Sequence, residues 1–275
     1  MTNTTIIIGK NSNLSNHLLG KLYNSTAISS RDILSDINIL SKYKEQQVSL
    51  IFNNFQPAVK LNEMLNAEEY IMNSIGSTSK VLNYCQVANI NIKKIIYTSS
   101  CSAYGDNIFC SETDETKPTS LHASLKVANE KMIEKFCENN KINYTIVRLF
   151  NMYGGLDKFS IISKLISAIR DNKEITIVNH GNSIRDFIHI DDVVDVYKKL
   201  LEVEGIKLIN IGTGIGTSVK SIIDFLKQNN INIKINNIFR DELETSTANI
   251  KLLNELLNKE SFVIIEDYVK KELSF

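Results

Sequence analysis

Short apolar runs alternate with amphipathic segments through the first half of the chain. The runs are rich in β-branched residues and predict buried strands. These strands are at residues 4–8, 26–30, 48–52, 95–98 and 144–149. The segments between them carry apolar residues at helical spacing and predict helices, among them 37–45, 69–87 and a helix that starts at Ser120. Alternating strands and helices indicate an α/β fold with a Rossmann-type, doubly wound parallel sheet.

The alternation changes character after residue 155. The remaining pattern predicts helices at 159–170, 193–201 and 219–228, and strands at 175–178, 208–211 and 232–238. We therefore predict a smaller C-terminal α/β part made of residues 156–185 and 215–275. Residues 1–155 form the larger domain, to which residues 186–214 return.

Composition excludes several classes of protein. The 275 residues include 31 basic and 31 acidic side chains, so net charge gives no indication of a nucleic-acid or membrane partner. The four cysteines form no C-x-x-C pair, which argues against a metal site or a disulfide framework. The sequence contains neither a signal-peptide pattern nor a membrane-spanning apolar run, so we expect a cytoplasmic protein.

Gly9 directly follows the first predicted strand and precedes an amphipathic helix. A dinucleotide-binding turn has this layout, because the helix N-terminus, here Asn13 and Leu14, receives the pyrophosphate. Such a turn carries glycines at the third and sixth positions after the first, whereas this chain has Ser12 and Ser15. An ordinary strand–helix connection therefore remains an alternative.

The second predicted strand ends in Ser29, Ser30 and Arg31. A fold of this kind that prefers NAD places a carboxylate at this tip to hold the ribose hydroxyls. Hydroxyls and a guanidinium suit a 2′-phosphate instead, so we predict that NADP(H) is favoured over NAD(H). Asp32, one position later, keeps NAD open, and an arginine in a surface turn is the simplest alternative.

His122 and Lys126 lie four residues apart on the helix that starts at Ser120, so they share one face. An ammonium beside an imidazole lowers the pKa of the ring, which makes the pair a candidate for proton transfer. A solvated lysine and a surface histidine are the alternative. Hydroxyls also cluster at Ser99–Ser102, after the strand at 95–98, where open α/β sheets bind ligands.

The order of these segments resembles that of the extended short-chain dehydrogenases/reductases, in their nucleotide-sugar epimerase, dehydratase and 4-ketoreductase branch. The resemblance covers nearly the whole chain. Its motifs are the Gly9 turn, Asn73-x-x-Gly76-Ser77, Ser99-Ser100-x-x-x-Tyr104-Gly105, Arg148-Leu149-Phe150-Asn151-x-Tyr153-Gly154, Gly181-x-x-x-Arg185-Asp186-Phe187-x-His189-x-Asp191-Asp192, Asn210-Ile211-Gly212-x-Gly214 and Arg240.

Three departures from the family pattern stand out. His122-x-x-x-Lys126 stands where the family has its catalytic Tyr-x-x-x-Lys, and serines replace two glycines of the first turn. The segment between the second predicted strand and the strand at 48–52 is shorter than in typical epimerases, and its sequence resembles that of sugar 4-ketoreductases. Cys101 and Ser102 also stand where sugar 4,6-dehydratases carry Asp-Glu. Neither side chain matches a carboxylate in acid–base chemistry, so a 4,6-dehydratase is disfavoured.

The resemblance implies an NAD(P)-dependent enzyme of polysaccharide biosynthesis that reduces or epimerises a nucleotide-diphosphate sugar. In it, Lys126 holds the nicotinamide ribose, Ser100 bonds the reacting sugar oxygen and His122 moves the proton. The other implied cofactor-binding residues are Gly9, Ser12, Asn13, Leu14, Ser30, Arg31, Asp32, Asn53 and Asn73 in the dinucleotide-binding domain. The implied substrate-binding residues are Cys101, Ser102, Asn151, Arg185 and Arg240.

A histidine can replace the tyrosine in principle, because its free pKa of about 6.5 is already near neutrality. Its ring is shorter, by roughly 2 Å, and a water can bridge the difference. Three outcomes stay open: an active reductase or NAD-retaining 4-epimerase with an unusual acid, chemistry moved to another residue, or a binding protein with little activity. The family typically forms homodimers through a four-helix bundle, here built from the helices around 74–87 and 122–136.

Overall fold

A computed structural model describes residues 3–55, 61, 64–257 and 261–275 of the chain. Its strands are β1 (Asn3–Ile8), β2 (Ser25–Ile28), β3 (Gln47–Phe52), β4 (Asn91–Ser100), β5 (Phe109–Cys110), β6 (Asn143–Leu149), β7 (Asn151–Tyr153), β8 (Glu174–Val178), β9 (Ile184–His189), β10 (Leu208–Ile211), β11 (Gly216–Ser218), β12 (Lys234–Ile238) and β13 (Thr245–Ala248). Its α-helices are α1 (Asn13–Lys21), α2 (Ser30–Ser35), α3 (Ala67–Ile71), α4 (Ser77–Val87), α5 (Leu121–Asn140), α6 (Ile161–Arg170), α7 (Ile190–Glu202), α8 (Val219–Gln228), α9 (Lys251–Leu257) and α10 (Ile265–Leu273).

The main sheet has the strand order β10-β6-β4-β3-β1-β2. Strand β1 pairs in parallel with both β2 and β3, and β3 pairs in parallel with β4. The predicted α/β fold with a Rossmann-type parallel sheet is thereby confirmed. The chain moves to one side of β1 to form β2 and to the other side to form β3. That reversal creates a crevice beyond the carboxyl ends of β1 and β3, the place where such sheets bind ligands.

Two predicted elements near the start of the chain are wrong in extent or type. The second strand ends at Ile28 instead of residue 30, because the Ser29 hydroxyl accepts a hydrogen bond from the Asp32 backbone N–H and starts α2. The predicted helix at 37–45 is a 3₁₀ helix, Ile37–Tyr43. Its apolar residues Ile37, Leu40 and Tyr43 are three positions apart, which matches three residues per turn.

The helix predicted at 69–87 is interrupted by a π-helical segment, Met72–Gly76, between α3 and α4. The buried side chain of Asn54 faces this segment from the end of β3. Its amide nitrogen lies 2.7 Å from the Ser74 carbonyl oxygen and 2.8 Å from the Ser77 hydroxyl. A side-chain donor that bonds the carbonyls of a helix stabilises a local change of pitch, and π segments are frequent at functional sites.

The chain divides into two compact units. The first consists of residues 1–105, 115–148 and 194–209, and the second of residues 106–114, 149–193 and 210–275. Residues 186–214, which the sequence analysis returned to the larger domain, are thus shared between the two units. The core of the first unit packs side chains of β1, β3 and β4 against those of α4 and α5.

The second unit contains a sheet of order β11-β9-β13-β5, with β7 paired to β9, and a ribbon of β12 and β8. The strands β8 and β12 lie where strands were predicted. The strands β5, β7 and β11 are only two or three residues long and β9 (IRDFIH) has no continuous apolar run, so the hydrophobic pattern did not predict these four. The helix predicted at 193–201 starts earlier, at Ile190. Among the described helices, none is both long and apolar enough to cross a membrane.

Candidate active site

Gly9 connects β1 to α1 in a conformation that requires glycine. Its φ is +115°, and an added Cβ atom would lie 2.1 Å from the Asn53 carbonyl oxygen. Because Asn53 directly follows β3, this close contact joins the carboxyl ends of β1 and β3. A side chain at position 9 would force the two strand ends apart.

The two serines that replace family glycines form a hydrogen-bonded cluster with Asn53. Ser12 is the N-cap of α1, and its hydroxyl accepts a bond from the Ser15 backbone N–H at 3.0 Å. The Asn53 amide donates to the hydroxyls of Ser12 at 2.5 Å and Ser15 at 2.9 Å. With φ at −80°, Ser12 adopts backbone geometry that any L-residue tolerates, so serine is unstrained there.

Asn13 and Leu14 are the first two residues of α1. The backbone N–H groups of a helix's first turn have no intrahelical acceptors, and their partial positive charge favours an anion. Together with the tight turn at Gly9, this arrangement fits the pyrophosphate of a dinucleotide.

Arg31 lies in α2 and reaches toward α3. Its guanidinium is 3.2 Å from the Glu69 carboxylate, and both side chains are largely exposed. The Asn73 amide donates to the same Glu69 oxygen at 3.3 Å. Arg31 and Asn73, both predicted to bind cofactor, therefore meet at a carboxylate that the sequence analysis did not consider.

Ser100 ends β4 and caps the 3₁₀ turn Cys101–Tyr104. Its hydroxyl accepts hydrogen bonds from the Ser102 backbone N–H at 3.2 Å and the Ser102 hydroxyl at 2.9 Å. The Ser100 side chain is half-buried, as are those of Cys101 and Ser102. The predicted hydroxyl cluster thus exists at the carboxyl end of a central strand.

His122 is the second residue of α5, whose N-cap Ser120 accepts a bond from the Ala123 N–H at 3.2 Å. Its Nδ1 atom is 2.5 Å from the hydroxyl of Tyr70, which lies in α3. The rings of Phe55 and Tyr70 pack edge-on against the imidazole, with centroids 5.8 and 6.0 Å away. Burial, and secondly the charge of Lys126, lowers the pKa of His122 to about 4.

Lys126 is only 5% exposed. Its Nζ donates to the Thr98 carbonyl oxygen at 2.7 Å and stands 4.0 Å from the centroid of the Phe55 ring. Burial lowers the pKa of Lys126 to about 7, although the charge of Glu130 opposes that shift. The pair therefore combines a half-buried histidine with a buried lysine, both with lowered pKa values, and a solvated lysine at position 126 is excluded.

A buried ion pair lies one turn beyond Lys126. The Glu130 carboxylate accepts bonds from the Arg148 guanidinium at 2.8 and 3.2 Å, and from the Ser99 hydroxyl. The guanidinium also stacks 4.5 Å above the centroid of the Tyr104 ring. This network connects the end of β4 to α5 and β6, so it fixes the elements that carry Ser100 and Lys126.

The remaining predicted residues belong to the second unit. The Asn151 amide donates to the Asp186 carbonyl oxygen at 3.2 Å. The Arg185 guanidinium is 3.4 Å from the Glu242 carboxylate, and Arg240 is exposed, with its carbonyl bound by the Asn179 amide at 2.7 Å. Asn151 and Arg185 are on paired strands, β7 and β9.

Sequence reasoning missed three side chains of the first unit that contact predicted site residues. Tyr70 and Phe55 enclose His122, and Glu69 pairs with Arg31. Tyr70 and Glu69 precede Asn73 by about one helical turn, which is the one signal that pointed to them. Phe55 carries no such signal, because it follows a strand within an ordinary polar turn.

Comparisons with known proteins identify the family and the fold of the chain. Residues 7–212 match the model described as the NAD dependent epimerase/dehydratase family. The chain is 30% identical over 227 residues to GDP-6-deoxy-D-talose 4-dehydrogenase of Aggregatibacter actinomycetemcomitans, which covers 74% of this chain and 73% of that protein. It is 28% identical over 184 residues to Protein CapI of Staphylococcus aureus, and this match covers 66% of this chain and 53% of that protein. The chain spans about half the length of several curated relatives that it matches.

Solved structures share the fold over the whole chain. MoeE5 in complex with UDP-glucuronic acid and NAD has a TM-score of 0.88 at 21% identity, with 98% of each chain covered. The UDP-glucuronic acid 4-epimerase from Bacillus cereus, with UDP-glucuronic acid and NAD, has a TM-score of 0.85 at 22% identity, with 99% and 98% covered.

Proposed function

Because this chain belongs to the NAD-dependent epimerase/dehydratase family, we propose that it reduces or epimerises a nucleotide-diphosphate sugar with a nicotinamide cofactor. The observation that carries the proposal is the pairing of half-buried His122 with buried Lys126 in the unit that contains the Gly9 turn. A buried ammonium is costly in a fold, and groups with shifted pKa values are typical of catalytic sites.

Each residue of the first unit has a definite role in this proposal. The turn at Gly9 and the N-terminus of α1 hold the pyrophosphate, and Lys126 binds the nicotinamide ribose. The bound nicotinamide supplies or accepts the hydride. Ser100 donates a hydrogen bond to the sugar oxygen at the reacting carbon, and His122 gives or takes the proton of that oxygen.

The substrate class follows from the relatives and from the second unit. The names of two similar proteins include GDP-6-deoxy-D-talose and UDP-glucuronic acid, and both compounds are nucleotide-diphosphate sugars. Arg185 and Arg240 are the guanidinium groups that suit a diphosphate, and Asn151 suits a sugar or phosphate oxygen. The Glu242 carboxylate, 3.4 Å from the Arg185 guanidinium, is the acidic partner of that arginine.

A screen of nucleotide sugars and their 4-keto derivatives, with both cofactors, tests the proposal. Nicotinamide absorbance detects net reduction or oxidation, and product NMR detects an epimerase, which regenerates its cofactor in every cycle. We expect turnover of at least one sugar, and loss of that turnover in Lys126→Met. Binding of cofactor and sugar without turnover across the panel favours the alternative of a binding protein.

The 4-epimerase is the second candidate, and it is consistent with several structural neighbours. An epimerase returns the hydride to the opposite face of a transient 4-keto sugar. Product NMR with isotope at C4 separates the two candidates, because an epimerase retains the label within the sugar whereas a reductase takes hydride from added cofactor.

For the cofactor we keep the prediction of NADP(H) over NAD(H), although the similar structures are complexes with NAD. A 2′-phosphate has to displace Glu69 from Arg31, and the exposed pair costs little to open. We expect Arg31→Ala to weaken NADPH binding about 10–100-fold, and Glu69→Gln to strengthen it, because the competing carboxylate is removed.

Titration of both reduced cofactors by fluorescence measures these effects. Lys21→Ala, at an exposed position in the last turn of α1, is the matched control for loss of one positive charge. Tighter binding of NADH, unchanged by Arg31→Ala, contradicts the prediction and assigns the ribose to Asp32 or a neighbouring hydroxyl.

We also expect a homodimer built on α4 and α5, the helices that the family uses for its four-helix bundle. Leu121 at the start of α5 and Val87 at the end of α4 are exposed apolar side chains, and both fit a helix face that another subunit covers. Sedimentation equilibrium at micromolar concentration measures the mass. A monomer under those conditions rules the dimer out.

A further inference from the structure

Tyr70 contacts His122 from a different helix. Its side chain is 1% exposed, and its hydroxyl oxygen is 2.5 Å from Nδ1 of His122. The Phe55 ring packs edge-on against both rings, with centroids 5.9 and 5.8 Å away. The phenol and the imidazole are thus held together by an apolar side chain on one side and by their own helices on the other.

The protonation states leave two arrangements of this hydrogen bond: the phenol donates to an unprotonated Nδ1, or Nδ1–H donates to the phenol oxygen. Burial raises the pKa of Tyr70, so the phenol keeps its proton at neutral pH. Burial and the Lys126 charge hold the pKa of His122 near 4, so the ring is neutral. A phenol that donates its only proton requires an unprotonated Nδ1, and the single ring proton must then be on Nε2.

On this geometry, and resting on the proposed function of His122, we propose that Tyr70 is a positioning residue that holds His122 as the Nε2–H tautomer. We further propose that Tyr70 returns a proton to Nδ1 when Nε2 gives its own to the sugar oxygen. The chain thereby retains a tyrosine as proton source, although position 122 itself is histidine.

The proton transfers balance. In the reduction of a keto sugar, a C–H bond forms with the hydride of the reduced nicotinamide, and the carbonyl oxygen takes the proton of His122 Nε2. The proton of the Tyr70 hydroxyl moves to Nδ1, which leaves a phenolate. After the product leaves, a solvent proton binds Nε2 of the half-buried His122 and the Nδ1 proton returns to Tyr70, which restores both groups. In the oxidative direction each transfer reverses.

The relay solves a chemical problem for a neutral histidine. An imidazole that gives up its one N–H proton without receiving another becomes an imidazolate, which in water is a stronger base than a phenolate. Burial raises the pKa of Tyr70, so the two anions differ less here than in water. When Tyr70 supplies the second proton, the negative charge ends on the phenol oxygen instead. The titratable groups that face His122 are Tyr70 from α3 and Lys126 from α5, and Phe55 adds an apolar wall.

NMR of the cofactor-free protein tests the pairing without any turnover. The chain has four histidines, so ¹⁵N-histidine labelling gives few signals, and the set that disappears in His122→Phe is assigned to His122. We expect the parent to show Nε2 protonated and Nδ1 unprotonated at pH 7. A parent spectrum with the proton on Nδ1 overturns the proposal, and this result requires no variant of Tyr70.

Tyr70→Phe provides the second readout. It removes a bond to the neutral ring, so the pKa of His122 should rise by about one unit and both tautomers should appear. On the substrate found by the screen, kcat should fall about 10–100-fold with little change in KM. Tyr43→Phe, at another buried tyrosine of the first unit, is the matched control and should change neither.

The outcomes separate this inference from the proposed function. If His122→Phe is inactive while Tyr70→Phe keeps the parental tautomer, pKa and pH profile, the relay is wrong and His122 remains the acid. If His122→Phe is fully active, the role of His122 in catalysis is wrong and the relay fails with it. A Tyr70→Phe protein with mixed tautomers and reduced kcat supports both.

Discussion

His122→Phe lowers kcat on the true substrate by about 10²–10⁴-fold, the usual contribution of general acid–base catalysis. Phenylalanine keeps an aromatic ring beside Phe55 and removes both ring nitrogens, so no group at position 122 can transfer a proton and no cavity is left. Steady-state kinetics at saturating cofactor measures the change. His17→Phe, at a half-buried histidine of α1, makes the same chemical change away from the cluster and should leave kcat within twofold of the parent.

The pH profile distinguishes an imidazole from a phenol at this position. The pKa of His122 is about 4, so the ring stays neutral from pH 5 to 8 and its own ionisation lies at the acidic end of the profile. Lys126→Met should move that ionisation upward, but only in part, because burial is the larger cause of the shift. His122→Tyr restores the family's pair of phenol and ammonium, and we expect it to retain activity with a more alkaline profile.

Parental activity in His122→Phe contradicts this role for His122. The proton donor must then be sought among Cys101, Ser102 and a bound water, and His122 becomes a structural residue that anchors Tyr70.

The sequence was sufficient to predict the sheet and the Gly9 turn, because both depend on local signals. Each of these strands contains three apolar residues in a row, which burial on both faces of a sheet satisfies, and β1, β3 and β4 lie where those runs were found. At position 9 a side chain would collide with Asn53, so only glycine fits, and the glycine in the sequence motif marks this steric requirement.

The environment of His122 and Lys126 could not be predicted in the same way. Whether His122 is buried depends on Phe55 and Tyr70, which lie 67 and 52 positions away along the chain and are brought to it by tertiary packing. The spacing of His122 and Lys126 predicted that they share a helix face, but it could not predict whether that face is exposed to solvent. For the same reason Glu69 was missed as the partner of Arg31.

Replacing Lys126 with methionine should make the cofactor-free protein more stable at pH 6, while it abolishes activity. Lys126 is 5% exposed, and burial lowers its pKa from the ordinary 10.5 to about 7. At pH 6 the folded protein therefore holds a charge in an apolar site, lined by Phe55 and Tyr97. Methionine has a similar length and carries no charge, so the desolvation penalty disappears.

The sign of the pH dependence follows from the two pKa values. The unfolded chain holds the lysine proton up to about pH 10.5, whereas the folded protein loses it near pH 7. Unfolding therefore takes up a proton between pH 7 and 10.5, and the parent loses stability as the pH falls through that window. Below pH 7 both states are protonated and the penalty is complete.

We expect Lys126→Met to raise the free energy of unfolding at pH 6 by about 2–4 kcal/mol, after allowance for the lost bond to Thr98. Near pH 10.5 the difference should vanish or reverse, because only the lost bond remains. Urea denaturation at the two pH values measures both effects. Lys80→Met is the matched control, because the half-buried Lys80 also donates to a backbone carbonyl, that of Leu34, at 2.6 Å.

The Lys80→Met variant loses the same kind of hydrogen bond without relief of a buried charge, so it should be less stable than the parent by about 0.5–1.5 kcal/mol. If Lys126→Met is equally destabilised at pH 6, the ammonium is well solvated or well paired in the folded protein, and the burial argument fails. If it is stabilised and inactive, Lys126 is retained for catalysis at the expense of stability, as expected for a group that must meet a cofactor ribose.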